Sequence, residues 1–171
     1  MKFIDHTTLS VKAGNGGKGC IAFLREKFRP KGGPCGGDGG RGGNIIFQVN
    51  LQLSTLQDIT LKHHYRAENG ANGSGKNRHG KNGKDIIIKI PPGTIIKNAE
   101  TEQILKDLTK TNESYVVVKG GNGGFGNARF KSQRKTAPRI ANDGQQGEEM
   151  KIELELKVLA DVGLIGFPNA G

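Results

Sequence analysis

Gly32-Gly33-Pro34-Cys35-Gly36-Gly37-Asp38-Gly39-Gly40-Arg41-Gly42-Gly43 is a stretch from which no ordinary helix can be made. Glycine costs a helix about 1 kcal/mol per position relative to alanine. Three further clusters resemble it, at residues 14–19 (GNGGKG), 70–83 (GANGSGKNRHGKNG) and 120–126 (GGNGGFG). Altogether 28 of the 171 residues are glycine, where average usage predicts roughly 12. Hydrophobic residues make up 33%, aromatics 5%, and tryptophan is absent. A helical bundle is hard to stabilise from such a composition.

Between the clusters lie short runs rich in β-branched residues, at 8–11, 45–49, 86–90, 94–96 and 115–118. Short strands with frequent turn signals predict a mainly β arrangement. Pro91-Pro92-Gly93 separates two of the runs. Proline presets φ and glycine tolerates the positive φ that follows, so residues 86–96 read as a hairpin or a tight strand corner. A turn at Thr101-Glu102 is expected before a strand over 104–108. From Met150 to Val158 apolar and charged residues alternate strictly, which predicts a half-buried strand. Leu159-Ala160-Asp161-Val162-Gly163-Leu164-Ile165-Gly166 then reads as a strand buried on both faces, as in a parallel sheet. The change of pattern predicts a domain boundary near 158, with one domain over 1–158 and the start of another over 159–171.

Flexible linkers are glycine- and serine-rich and featureless, whereas these clusters carry Pro, Asp, Asn, His and basic residues. Collagen requires a strict Gly-X-Y period, which the chain as a whole does not keep. Extended, polyproline-II-like strands remain, packed closely where a missing Cβ lets backbones approach. Surface loops without function are the plainer alternative. Residues 14–19 and 121–126 both match G-x-G-x-x-G, the dinucleotide fingerprint. That motif needs a crossover helix in a βαβ unit, and neither match leaves room for one.

Lys and Arg number 26 against 16 Asp and Glu, for a formal net charge of +10. The excess concentrates beside the clusters. Arg25, Lys27, Arg29 and Lys31 precede the second; Lys76, Arg78, His79 and Lys81 lie in the third; Arg129, Lys131, Arg134, Lys135 and Arg139 follow the fourth. Basic side chains meet phosphates and release counterions, while Arg, His and Phe stack on unpaired bases. Structured RNA is the expected partner, and solvated surface faces are the alternative. The four histidines lack zinc-site spacing, so no metal ligand is assigned. Cys20 and Cys35 fit packed thiols in a reducing compartment. Neither a signal-peptide core nor an apolar run of membrane-spanning length is present, and a cytoplasmic protein without a membrane partner is expected.

Gly166, Phe167, Pro168, Asn169, Ala170 and Gly171 fit the first six positions of the phosphate-loop motif G-x-x-x-x-G-K-[ST], after an apolar strand as that motif requires. The Lys and Ser/Thr positions are not reached, so no catalytic residue and no metal ligand is expected within the chain. With its surroundings this stretch, LADVGLIGFPNAG over 159–171, resembles the entry to the GTPase domain of the Obg family. VKAGNGGKG at 11–19, FLREKFRPKGGPCGGDGGRGG at 23–43, PPGT at 91–94, KGGNGGFGNARF at 119–130 and APR at 137–139 are similar to that family's glycine-rich domain, in order. The resemblance covers nearly the whole chain.

The resemblance implies an Obg fold, a glycine-rich bundle of polyproline-II-like helices joined to a small β-barrel. It also implies binding to the large ribosomal subunit and its rRNA through the glycine-rich loops, in late subunit assembly and subunit-association control. GTP and Mg2+ are the implied ligands of the complete GTPase, with a response to guanosine tetraphosphate, and a ribosome-associated monomer is expected. A protein-interaction domain that docks on its own GTPase domain or on stress-signalling proteins is the rival reading. Three departures from the family's pattern stand out. Cysteines occupy positions 20 and 35, the segment Ser132-Gln133-Arg134-Lys135 is unusually basic, and Gly73 and Gly75 flank Ser74.

Overall fold

The computed structural model describes residues 4–28 and 32–157. The predicted strands form with boundaries close to those expected: β1 (His6–Lys12), β2 (Ile45–Val49), β4 (Ile86–Ile90), β5 (Thr94–Asn98), β6 (Ile104–Leu108), β7 (Ser114–Val118) and β8 (Glu149–Leu156). Two elements carry no pattern long enough to read: the three-residue β3 (His64–Arg66) and the one-turn helix α1 (Gln57–Thr60). Val158 and the expected second-domain strand lie outside the described residues.

Strand pairing divides the β half into two sheets, ordered β3-β1-β8-β5-β6 and β4-β2-β7. The alternation along β8 buries Ile152, Leu154 and Leu156, as period-two patterning demands. These meet Leu9, Val11, Phe47, Val49, Leu56, Ile90, Ile96, Leu108 and Val118 in one core. Pro91-Pro92-Gly93 makes a corner rather than a hairpin, because β4 and β5 belong to different sheets. Gly93 adopts φ +80° there, a conformation that glycine accepts without a Cβ clash. Its N–H donates to the Leu108 carbonyl at 2.8 Å, and its own carbonyl accepts the Lys157 N–H at 3.0 Å. The turn before β6 is where it was expected, with Glu102 at φ 56°.

The glycine clusters build the other half. Six extended segments continue directly from six strands: 13–20 leaves β1, 36–44 enters β2, 67–74 leaves β3, 78–85 enters β4, 119–126 leaves β7, and 142–148 enters β8. Their hydrogen bonds advance by three residues. Gly14, Gly17 and Cys20 donate to the carbonyls of Gly43, Gly40 and Gly37 at 2.9, 2.8 and 3.0 Å. Gly43, Gly40 and Gly37 donate in turn to Glu68, Ala71 and Ser74, and Gly42 and Gly39 to Gly121 and Gly124. A three-residue repeat without internal hydrogen bonds is the signature of polyproline II, and Gly126 has matching angles, φ −75° and ψ 164°.

Segment 36–44 is therefore a hub, and its sequence has a local period that the whole chain lacks: Cys35, Asp38 and Arg41 recur every third residue, with glycine pairs between them. The two glycine faces meet neighbouring backbones, so a Cβ on Gly40 would overlap the Lys81 carbonyl. Asparagines supply acceptors where backbone carbonyls run out. The N–H groups of Asn15, Lys18, Arg41 and Gly120 donate to Oδ1 of Asn69, Asn72, Asn82 and Asn44 at 2.8–2.9 Å. Among the described residues no buried side-chain polar atom lacks a partner, which is what low-dielectric packing requires.

Candidate nucleic-acid interface

Each pair of glycine segments runs out from the sheets and returns, so the three connecting loops, 20–36, 74–79 and 126–142, share the far end of the bundle. Most of the predicted RNA-contacting residues fall in these loops. Arg25, Lys27, Lys76, Arg78, His79, Arg129, Lys131, Arg134 and Arg139 are all exposed there. Lys81 is also exposed, two residues past the end of the second loop. Arg29 and Lys31 lie outside the described residues. Glu26 is the one acidic residue in the sequence of the three loops.

Two buried polar side chains tie the loops together. Asp38, 8% exposed, accepts the Gly126 N–H on Oδ1 at 2.8 Å and the Arg129 Nε–H on Oδ2 at 2.6 Å. The Asp38 backbone N–H donates to His79 Nδ1 at 3.2 Å, and the same ring nitrogen lies 3.6 Å from Asp38 Oδ2. Asp38 engages Arg129 through Nε, and the guanidinium lies 4.8 Å from the Phe125 ring centre. A guanidinium held by a carboxylate and an aromatic face is pre-organised for a planar anion. Asn127, fully buried, accepts the Gly36 N–H at 2.8 Å and donates to the Ala22 and Pro138 carbonyls at 3.0 and 3.2 Å. It begins a 3-10 turn, Asn127–Phe130.

Apolar side chains are exposed at the same end. Phe28 is 88% exposed and Phe125 45%, with Ile21 and Ile140 also in solvent. Exposed aromatics among cations favour stacking on unpaired bases. Elsewhere the charges pair off along the sheets: Lys12 with Glu149 at 2.5 Å, Lys106 with Glu113 at 3.2 Å, and Lys97 with Glu155. The Lys97 ammonium holds the Glu155 carboxyl below the ordinary carboxylate range, chiefly by hydrogen bonding. Lys12 does the same for Glu149.

Sequence reasoning found the cations but missed Asp38 and Asn127, which organise them. An aspartate inside a glycine run and an asparagine after one carry no local signal of burial. The buried Cys35 and half-buried Cys20 are packed within the bundle ends. Among the described residues no group of three His, Cys, Asp or Glu is placed to hold a metal ion, and no helix is long and apolar enough to cross a membrane. The phosphate-loop match, Gly166 to Gly171, lies outside the described residues.

The fold is thus a β base carrying a glycine-rich arm with a cationic tip. The sequence model of the family described as GTP1/OBG matches residues 4–158, and the chain belongs to that family. It is 57% identical over its full length to the GTPase Obg of Persephonella marina, covering 50% of that protein. It is 59% identical over 99% of its length to the GTPase Obg of a Sulfurihydrogenibium species, covering 49%. Against the GTPase Obg of Geobacillus kaustophilus it is 53% identical, covering 39%. The chain spans about half the length, or less, of these relatives.

Proposed function

We infer that this chain is the module through which an Obg-type GTPase binds ribosomal RNA on the large ribosomal subunit. The observation that carries the reading is the convergence of three cationic loops, with exposed Phe28 and Phe125, at one end of a bundle whose segments are cross-linked by backbone hydrogen bonds. A rigid arm lowers the ordering entropy lost on binding, and its cations offer the phosphate backbone a counterion-releasing surface. The role is late large-subunit assembly and subunit-association control in the cytoplasm. GTP binding and hydrolysis with Mg2+ belong to the complete protein, with Gly166, Phe167, Pro168, Asn169, Ala170 and Gly171 opening its phosphate loop. Residues 1–171 alone supply recognition and no turnover, and act as a monomer.

Co-sedimentation of the chain with purified large subunits across a potassium chloride series tests the reading. The expected result is a log–log salt slope of several units, reduced by about 0.7–0.9 for each phosphate contact removed. Replacing Lys76, Arg129 and Arg139 by Gln lowers both affinity and slope. A salt-independent affinity, unchanged in that variant, rejects the RNA reading. It favours instead docking on the GTPase domain or on stress-signalling proteins. That second reading draws on the outward aliphatic row in which Ile46 pairs with Ile87 and Val116 across β4-β2-β7.

A further inference from the structure

Between the first and third loops lies an open cleft of ≈ 560 Å³, lined among the described residues by Phe23, Leu24, Arg25, Lys131, Ala137 and Arg139. Its walls are built, not incidental. One is a short ladder in which the Leu24 N–H donates to the Gly33 carbonyl at 2.9 Å and the Gly32 N–H to the Leu24 carbonyl at 3.1 Å. Buried Asn127 joins the walls by donating to Ala22 on one side and Pro138 on the other. Lys131 Nζ stands 4.0 Å from the position a Cβ on Gly33 would take, and Gly33 has φ +85°.

The side chains of the lining are an apolar set (Phe23, Leu24, Ala137), the hydroxyl-bearing Thr136 and three cations. Among the described residues none of those cations forms an ion pair. The volume lies within the range of small-ligand sites and far exceeds the needs of a lone phosphate. An apolar slot rimmed by unpaired cations matches a planar base attached to a phosphate. We propose that this cleft receives a single unpaired nucleotide, its base against Phe23, Leu24 and Ala137 and its phosphate on Arg25, Lys131 and Arg139. The inference rests on the RNA-binding reading and narrows it from phosphate contact to capture of one extruded base. A free nucleotide presents the same chemistry, so the test separates the two sources.

Binding of the chain is measured at fixed salt to an RNA hairpin with one bulged nucleotide and to its fully paired counterpart. In the bulged hairpin 2-aminopurine stands at the bulge. The bulged RNA is expected to bind roughly tenfold more tightly, the scale of one stacked base, with a change in 2-aminopurine emission. Ala137→Trp fills the exposed mouth of the cleft. It removes the preference while leaving paired-RNA affinity and the amide spectrum of the β core unchanged. The emission change in the unmodified chain supports the proposal by itself should that variant misfold.

Uridine and adenosine 5′-monophosphates form the second arm. Amide shifts confined to residues 23–25 and 131–139, without a bulge preference, make a free nucleotide the occupant. Equal RNA affinities with no emission change and no mononucleotide shifts overturn the proposal while leaving general RNA binding intact. Failure to bind either RNA overturns the broader reading, and the mononucleotide arm then decides the cleft separately.

Discussion

Single atoms decide which residues the bundle accepts. At Gly40 the N–H donates to Ala71, the carbonyl accepts from Gly17, and the space of a side chain is filled by the Lys81 carbonyl. Gly40→Ala forces backbone apart on the hub segment and is expected to cost about 3 kcal/mol or more, read as a lowered urea midpoint. Gly75→Ala is the control: its Cβ would meet only Ala22 Cβ, at 3.4 Å, and a change within about 0.5 kcal/mol is expected. A large loss at Gly75 or none at Gly40 contradicts the close-packing account. Glycine abundance was plain in the sequence, yet the difference between these two glycines was not. It depends on which backbone lies opposite, and that neighbour is 41 positions away for Gly40 and 53 for Gly75.

β8 shows how an element joins the molecule. It pairs with β1 on one side and β5 on the other, and ion pairs cross both seams, Lys12 to Glu149 and Lys97 to Glu155. Both carboxyls are held below their ordinary range by those lysines. A depressed folded-state value means the unfolded chain binds more protons in acid. The stabilisation is thus complete above the ordinary glutamate range, near about pH 4.3, and is lost as pH falls through the folded values. The Lys97 ammonium is raised, so its share persists below the ordinary lysine range and fades as pH climbs through the raised value. Urea midpoints recorded from pH 7 to pH 3 should fall, and Glu155→Gln should flatten part of that fall. The effect is small because these side chains face solvent; an unaltered profile in the variant removes Glu155 from the account. The alternation Met150 to Val158 made this strand legible beforehand, since a period of two needs no tertiary context. β3 was not legible, because three residues cannot express a period and its parallel pairing with β1 comes from distant sequence.

At the scale of the molecule, the bundle and the sheets are not separate bodies. Every glycine segment is the continuation of a strand, so neither half can loosen without misplacing the other. Unfolding is therefore expected as one transition. Tyr65 and Tyr115 report from the sheets, and glycine amide signals from the bundle. Their urea curves should superimpose, as a two-state change requires, and a bundle that melts first contradicts the shared framework. The mainly β character, a chain reversal at Pro91 to Gly93 and the grouping of the cations beside the glycine clusters were determined by sequence alone, whereas that reversal's being a corner between two sheets was not. The first three follow from local chemistry: φ preferences, side-chain period and charge. Tertiary structure alone decided that three loops separated by some 50 residues meet at one end, that Asp38 and Asn127 knot them, and that a cleft opens between two of them. Polyproline-II segments have no hydrogen bonds of their own, so each backbone donor must find its partner on another segment. Which partner it finds is a property of the assembled bundle, which no window of sequence contains.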